Sequence, residues 1–117
     1  MLAGLWGCQA QNHAADSYQD IDVEAFAKKM QEKDVVLLDV RTPEEIAQGK
    51  IAGAAELDFR SPDFAAQVDK LDKNKTYLIY CRSGNRSGQA CKMMADKGFT
   101  SLYNLAGGIL AWKEAGY

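Results

Sequence analysis

The stretch that decides the fold of this chain is Thr76-Tyr77-Leu78-Ile79-Tyr80-Cys81-Arg82-Ser83-Gly84-Asn85-Arg86-Ser87-Gly88. Its first five residues form a short apolar and aromatic run, which predicts a buried β-strand. The residues after Gly88 have a helical apolar pattern. Cys81 is therefore predicted to lie in a strand-to-helix loop, at the carboxyl end of a buried strand.

The loop has the composition of an anion-binding site. Gly84 and Asn85 accept unusual backbone angles, so that successive N–H groups can point towards one anion. Arg82 and Arg86 add permanent positive charge and planar donor groups. Because a thiol reacts as the thiolate, these groups predict a lowered pKa for Cys81. The alternative is an inert cysteine in the core, but a position between an apolar strand and two arginines favours the reactive thiol.

The rest of the chain alternates between strand and helix patterns. This alternation predicts a three-layer α/β/α domain with a mostly parallel central sheet, in which ligands bind beyond the carboxyl ends of the strands. The predicted helices cover residues 23–32, 42–49, 62–71 and 87–97, with a terminal helix that contains Ile109, Leu110 and Trp112. The predicted strands cover residues 35–40, 54–57, 76–80 and 101–105.

Length and composition indicate one domain at residues 21–117. The chain has 117 residues, of which 47% are hydrophobic and 26% charged, as in ordinary globular proteins. Its net charge of -2 argues against nucleic acid as a partner. The three cysteines have the spacing of neither a disulfide framework nor a zinc site. Cys91 fits the apolar face of a helix and is interpreted as a core residue. The sequence is also compatible with a disulfide between Cys91 and Cys81.

Residues 1–20 have two possible interpretations. The sequence Leu5-Trp6-Gly7-Cys8 resembles the cleavage site of bacterial lipoproteins, which would place the protein in the periplasm or on a membrane through lipidated Cys8. The apolar part is short and no basic residue precedes it, so the segment is otherwise a polar tail of a cytoplasmic protein. His13, the single histidine of the sequence, lies in this segment and is not expected to act in catalysis.

Three stretches together resemble the rhodanese domains. Leu38–Glu45, followed by Gly49–Ala54, is similar to their N-terminal motif, and Cys81–Ser87 is similar to their active-site loop. Asn104–Trp112 resembles their C-terminal signature. The resemblance runs in order and covers about residues 20–117.

The resemblance implies a single-domain sulfurtransferase with Cys81 as the catalytic residue. Cys81 would take sulfur from a donor such as thiosulfate, hold it as a persulfide and pass it to cyanide or a thiol, including a protein thiol. No metal or other cofactor is implied. Asp39 and Arg41 would support the site structurally at the end of a neighbouring strand. The implied substrate-binding residues are Arg82, Ser83, Gly84, Asn85, Arg86 and Ser87.

Two other functions remain as alternatives. One is a persulfide carrier or binding module that is served by a partner protein and shows little turnover on small donors. The other is a phosphatase or arsenate reductase, which also surrounds an anion with a cysteine and an arginine. Those enzymes have five residues between the two, whereas four separate Cys81 from Arg86, and the shorter loop favours a sulfur atom over a tetrahedral oxyanion.

Overall fold

Five strands and five helices alternate along residues 17–117, the part of the chain that the computed structural model describes. The strands are β1 (Gln19–Ile21), β2 (Val35–Asp39), β3 (Ala55–Glu56), β4 (Thr76–Tyr80) and β5 (Leu102–Leu105). The helices are α1 (Val23–Lys29), α2 (Pro43–Ile46), α3 (Phe64–Val68), α4 (Asn85–Asp96) and α5 (Gly108–Glu114).

The strands form one sheet in the order β1-β5-β4-β2-β3, and every neighbouring pair is parallel. Strand β4 is central, as its apolar sequence predicts, and four of its five residues are buried. It pairs with β2 from Val35 opposite Thr76 to Asp39 opposite Tyr80. Because all strands run the same way, the residues that follow β2, β4 and β5 meet at one edge of the sheet.

Helices cover both faces of the sheet. On one face, Phe64 and Val68 of α3 and Met94 of α4 pack in a cluster with Ile79. On the other face, Phe26 of α1 and Ile109 of α5 form a second cluster with strand residues such as Leu78 and Tyr80. Alternate residues of a strand point to opposite faces, which explains why neighbours in β4 belong to different clusters. The predicted α/β class and three-layer architecture are confirmed.

The structure differs from the sequence prediction at several element ends. Gln19 and Asp20, assigned to the N-terminal segment, belong to edge strand β1, which is short, largely exposed and paired with β5. Main-chain hydrogen bonds rather than apolar side chains hold such a strand, so the hydrophobic pattern does not show it. Helix α4 begins at Asn85 instead of Ser87 because Gly84 takes the N-cap position with a φ of 104°.

Two sequence predictions fall outside the described residues. Cys8 with its lipoprotein-like surroundings and His13 both precede Ser17. Within residues 17–117, every helix is too short to cross a bilayer.

Candidate active site

The thiol of Cys81 lies directly after β4 and is enclosed by its own loop. The backbone N–H of Gly84 donates a hydrogen bond to Sγ at 3.1 Å, and the hydroxyl of Ser87 donates another at 3.3 Å. Cys81 is 1% exposed. The structure therefore brings the sulfur into contact with donors of Gly84 and Ser87 while it shields the sulfur from bulk water.

The pKa of Cys81 is lower than that of an ordinary thiol, as the sequence predicted. Burial acts in the opposite direction and is the largest influence on this pKa. It is outweighed by hydrogen bonds to the sulfur from the Ser87 hydroxyl and from the backbone N–H groups of Ser87, Gly84 and Ser83. These neutral donors stabilise the thiolate, and they would stabilise a persulfide anion or any other negative charge at this place.

Backbone hydrogen bonds connect the Cys81 loop with the start of α5. The backbone N–H of Ile109 donates to the carbonyl of Cys81 at 2.9 Å, and that of Leu110 donates to the carbonyl of Arg82 at 3.2 Å. Gly108 has a φ of 61°, and a Cβ at this position would overlap the backbone of Arg82 and Ser83. Only glycine therefore allows α5 to approach the loop this closely.

A buried asparagine braces the other side of the loop. The Nδ2 group of Asn104, in β5, donates to the carbonyl of Gly84 at 3.1 Å and to Oδ1 of Asp20 at 2.8 Å. Asn104 thus connects the αL turn of the loop with edge strand β1. Sequence analysis gave this residue no separate role, because a lone asparagine in a short strand has no distinguishing pattern.

The two arginines, both expected to meet an anionic donor, have different environments. Arg86 is held by Glu45 of α2: its two terminal nitrogens lie 2.7 and 2.8 Å from the two carboxylate oxygens. Arg82 is exposed, and its side chain forms no hydrogen bond or ion pair with residues 17–117. Glu45 was interpreted as a partner of Arg41 or a first-turn acid; it is a first-turn acid of α2, and its carboxylate pairs with Arg86, whereas Arg41 contacts only its backbone carbonyl. Since the two residues are 41 positions apart, sequence spacing could not show this pair.

Asp39 and Arg41 form a buried ion pair at the end of β2. The carboxylate of Asp39 accepts from Nε and NH2 of Arg41 and, at 2.6 Å, from the hydroxyl of Tyr80. Tyr80 also accepts from the backbone N–H of Ile51, and Arg41 donates to the carbonyl of Gly49. Desolvation and the bond to Asp39 raise the pKa of Tyr80 well above its ordinary value.

These contacts fit the structural role that was predicted for Asp39 and Arg41. Asp39 was also considered as a hydrogen-bond partner for the backbone of the Cys81 loop, but its oxygens are occupied by Arg41 and Tyr80. The network therefore fixes the ends of β2 and β4 relative to each other. Sequence analysis missed Tyr80, since its hydroxyl lies at the end of an otherwise apolar strand.

The other polar residues of the loop lie away from the sulfur. Ser83 and Asn85 are exposed, and the Asn85 side chain accepts a hydrogen bond from Gln89 on the surface of α4. Ser83 contributes its backbone N–H to the thiolate. Of the six residues that were predicted to bind substrate, Gly84 and Ser87 form hydrogen bonds to the sulfur.

A groove of about 370 Å³ opens beside the loop at Arg82. Its wall carries charges of both signs from Glu44, Glu45, Arg82 and Lys113, together with the exposed apolar side chain of Leu110. Among residues 17–117, no group of three or more histidine, cysteine or acidic side chains is placed to hold a metal ion. Cys81 and Cys91 are both free thiols, and Cys91 is a core residue, as interpreted from the sequence.

Comparison with known proteins identifies the family of this site. The sequence model described as "Rhodanese-like domain" matches residues 22–115. A protein of Allochromatium vinosum named "Sulfurtransferase" is 40% identical over 98 residues, which are 83% of this chain and 90% of that protein. "Thiosulfate sulfurtransferase GlpE" of Stutzerimonas stutzeri is 35% identical, over 75% of this chain and 79% of that protein.

A solved structure agrees with the sequence matches. The crystal structure of a rhodanese-related protein from Thermoplasma volcanium superimposes with a TM-score of 0.75 at 29% identity. The match covers 86% of this chain and 95% of that one. The chain therefore belongs to the rhodanese-like domain family, in which relatives of 35–40% identity are named sulfurtransferases.

Proposed function

We propose that this protein transfers a sulfane sulfur from a donor such as thiosulfate or a persulfide to cyanide or a thiol, with Cys81 as the covalent carrier. The observation that carries the proposal is the arrangement around Sγ of Cys81. It has donors from Gly84 and Ser87, a lowered pKa and a position at the carboxyl end of the central strand. These are the properties of an activated nucleophile in a parallel α/β sheet.

The reaction has two steps. The thiolate of Cys81 attacks the outer sulfur of the donor, the donor's S–S bond breaks, and its electron pair leaves with sulfite or with the donor thiolate. The outer sulfur of the resulting persulfide is then attacked by cyanide or a thiolate, and the Cys81 thiolate leaves. In both steps the negative charge stays at the loop, where the N–H groups of Ser83, Gly84 and Ser87 and the Ser87 hydroxyl can stabilise it.

The loop itself would do this work without a histidine base, since residues 17–117 contain no histidine. Arg82 is exposed beside the loop and is the residue proposed to meet an anionic donor first. A partner protein that supplies the sulfur remains an alternative source. In that case the same persulfide would form, but free thiosulfate would not load it.

The test is an intact-mass measurement of the protein before and after incubation with thiosulfate in the absence of reductant. The expected gain is one sulfur atom per chain, which cyanide removes as thiocyanate, and Cys81→Ser should show no gain. A gain of sulfur in Cys81→Ser would overturn the proposal. Absence of any gain in the wild-type protein would reject small sulfur donors, and hydrolysis of phosphate esters instead would support the phosphatase alternative.

A further inference from the structure

The positive charge of Arg86, close to the proposed donor site, is neutralised by Glu45 of α2. Arg86 lies in the Cys81 loop, yet both of its terminal nitrogens bind the carboxylate of Glu45. The two side chains are 15% and 25% exposed, so the pair is shielded from much of the solvent. A bidentate pair of this kind is strong and directional. Arg86 therefore presents its charge to Glu45 rather than to a ligand.

Glu45 is itself held in place. One of its oxygens, Oε1, accepts from the backbone N–H of Thr42 at 3.1 Å and from the Thr42 hydroxyl at 3.0 Å. These contacts form the capping box at the start of α2. The bonds from Arg86 lower the pKa of Glu45 to about 2, so this carboxylate keeps its charge at neutral pH. A donor anion that recruits Arg86 would have to displace a fixed carboxylate.

Charges of both signs lie around the site. Glu45 and Glu44 line the same groove as Arg82 and Lys113, and the charges of Cys81 and Asp58 also act on Arg86. A dianion such as thiosulfate approaches this surface with one charge more than an alkyl persulfide anion. Attraction to a cation increases with each charge of the donor, so the availability of Arg86 matters more for thiosulfate than for the persulfide.

We propose that Glu45 is a specificity-determining residue: by neutralising Arg86 it favours a singly charged alkyl persulfide over dianionic thiosulfate as the sulfur donor. This inference rests on the proposed function of Cys81. The favoured step is attack of the Cys81 thiolate on the outer sulfur of the persulfide. A Cys81–S bond forms, the donor's S–S bond breaks, and an alkyl thiolate leaves with the electron pair. Thiosulfate undergoes the same step with sulfite as the leaving group.

The test compares two donors, thiosulfate and 2-hydroxyethyl persulfide, in the wild-type protein and in Glu45→Gln. Glutamine keeps the shape of glutamate and is accepted in a capping box, so α2 should remain capped. Glu45→Gln should raise kcat/KM for thiosulfate about five- to tenfold, mainly through KM, because Arg86 loses its carboxylate partner and its positive charge becomes available to the dianion. The value for the persulfide should change by no more than about twofold.

Glu44→Gln is the matched control, because Glu44 lines the same groove but is exposed and does not touch Arg86. It should leave the ratio of the two kcat/KM values near that of wild type. The double variant Glu45→Gln/Arg86→Gln removes the pair as a unit and restores the original net charge, and its ratio should return towards wild type. It also tests the inference if Glu45→Gln alone does not fold.

The outcomes separate this inference from the function on which it rests. If Cys81 gains sulfur but the donor ratio is unchanged in Glu45→Gln, or changes equally in Glu44→Gln, the inference is overturned while the sulfurtransferase proposal stands. If neither donor loads Cys81 in intact-mass spectra, both are overturned. A raised thiosulfate preference confined to Glu45→Gln supports the inference.

Discussion

The two thiols of the described domain are equally buried, but their pKa values shift in opposite directions. Cys81 and Cys91 are ten positions apart, belong to the same apolar cluster and are 1% and 0% exposed. Yet the pKa of Cys81 is lowered, whereas burial raises the pKa of Cys91 to about 12, with smaller contributions from Asp20 and Cys81. Burial therefore does not decide whether a thiol in this protein is reactive.

The difference comes from hydrogen-bond donors. Sγ of Cys81 lies at a strand end, where the chain turns through Gly84 and exposes N–H groups that no helix or sheet has used. Cys91 lies inside α4, where the backbone donors are already paired, and its sulfur has no hydrogen bond to residues 17–117. The Ser87 hydroxyl and the backbone N–H groups of the loop therefore prepare the Cys81 thiolate, and Cys91 has no such donors.

The strongest test of this comparison replaces the sulfur of Cys81 with oxygen. Cys81→Ser should abolish sulfur loading completely, because a hydroxyl is not ionised near neutral pH and cannot form a persulfide. The fold should persist, since serine is close to cysteine in size and the donors of Gly84 and Ser87 can still bond to it. The measurement is intact mass after thiosulfate or persulfide, with thermal unfolding to verify the fold. Loss of folding in this variant would contradict the separation of chemistry from packing.

Sequence reasoning identified the Cys81 site because its signals are local. A continuous apolar run, a glycine and a following helix pattern lie within residues 76–96 and are sufficient to place the thiol. The predicted lowering of the Cys81 pKa was correct, and the sequence attributed it both to backbone N–H groups of the loop and to Arg82 and Arg86. The structure attributes it to backbone N–H groups and Ser87, whose orientation depends on the turn and is not readable from residue types.

The side-chain contacts that sequence reasoning missed join residues that are far apart in the sequence. The Glu45–Arg86 and Asp39–Tyr80 contacts each join residues 41 positions apart, at the ends of strands that become neighbours only in the sheet. Strand β1 was missed for another reason, because three largely exposed residues have no alternation to detect. Pairing with a neighbouring strand, rather than local preference, creates that strand.

The second prediction tests whether the position of the backbone donors matters as much as the sulfur. Gly108→Ala would place a methyl group against the backbone of Arg82 and Ser83, at a residue with a φ of 61°. We expect the free energy of unfolding to fall by about 2–4 kcal/mol and sulfur loading to slow by more than about tenfold, because the loop must move to relieve the overlap. Chemical denaturation and loading kinetics measure the two effects.

Gly53→Ala is the control for backbone strain alone. Gly53 also has a positive φ, of 89°, but no atom lies within 4 Å of the place that a Cβ would take. It should lose about 1 kcal/mol of stability and keep its loading rate. Equal loading by both variants would show that the approach of α5 does not position the loop.

The third prediction removes one donor and leaves the loop in place. Ser87→Ala deletes the hydroxyl that lies 3.3 Å from Sγ of Cys81. The pKa of Cys81 should rise, since this hydroxyl is the strongest of the donors that stabilise the thiolate. The pH profile of alkylation by iodoacetamide reports this pKa, because only the thiolate reacts.

The direction of the change in the Ser87→Ala reaction rates follows from the fraction of Cys81 that is thiolate. With a higher pKa, a smaller fraction of Cys81 is thiolate at neutral pH, so alkylation and sulfur loading should both slow by up to about tenfold near pH 7 and recover at alkaline pH. Ser83→Ala is the matched control, because its side chain is exposed and does not bond to the sulfur. An unchanged pH profile in Ser87→Ala would show that the backbone N–H groups alone hold the thiolate.

The smallest effect on the chemistry is expected from the second thiol. Cys91→Ala should leave sulfur loading within about twofold of wild type, because a buried thiol with a pKa of about 12 stays protonated at neutral pH and does not compete for the donor. It should lower the free energy of unfolding by about 1 kcal/mol, through the small cavity left beside the core of α4. Intact mass after iodoacetamide should show one modified cysteine in residues 17–117, at Cys81, in both wild type and variant. If loading instead fell as far as in Ser87→Ala, Cys91 would take part in the reaction, and the contrast between a donor-rich loop and a donor-poor helix would no longer explain which thiol carries the sulfur.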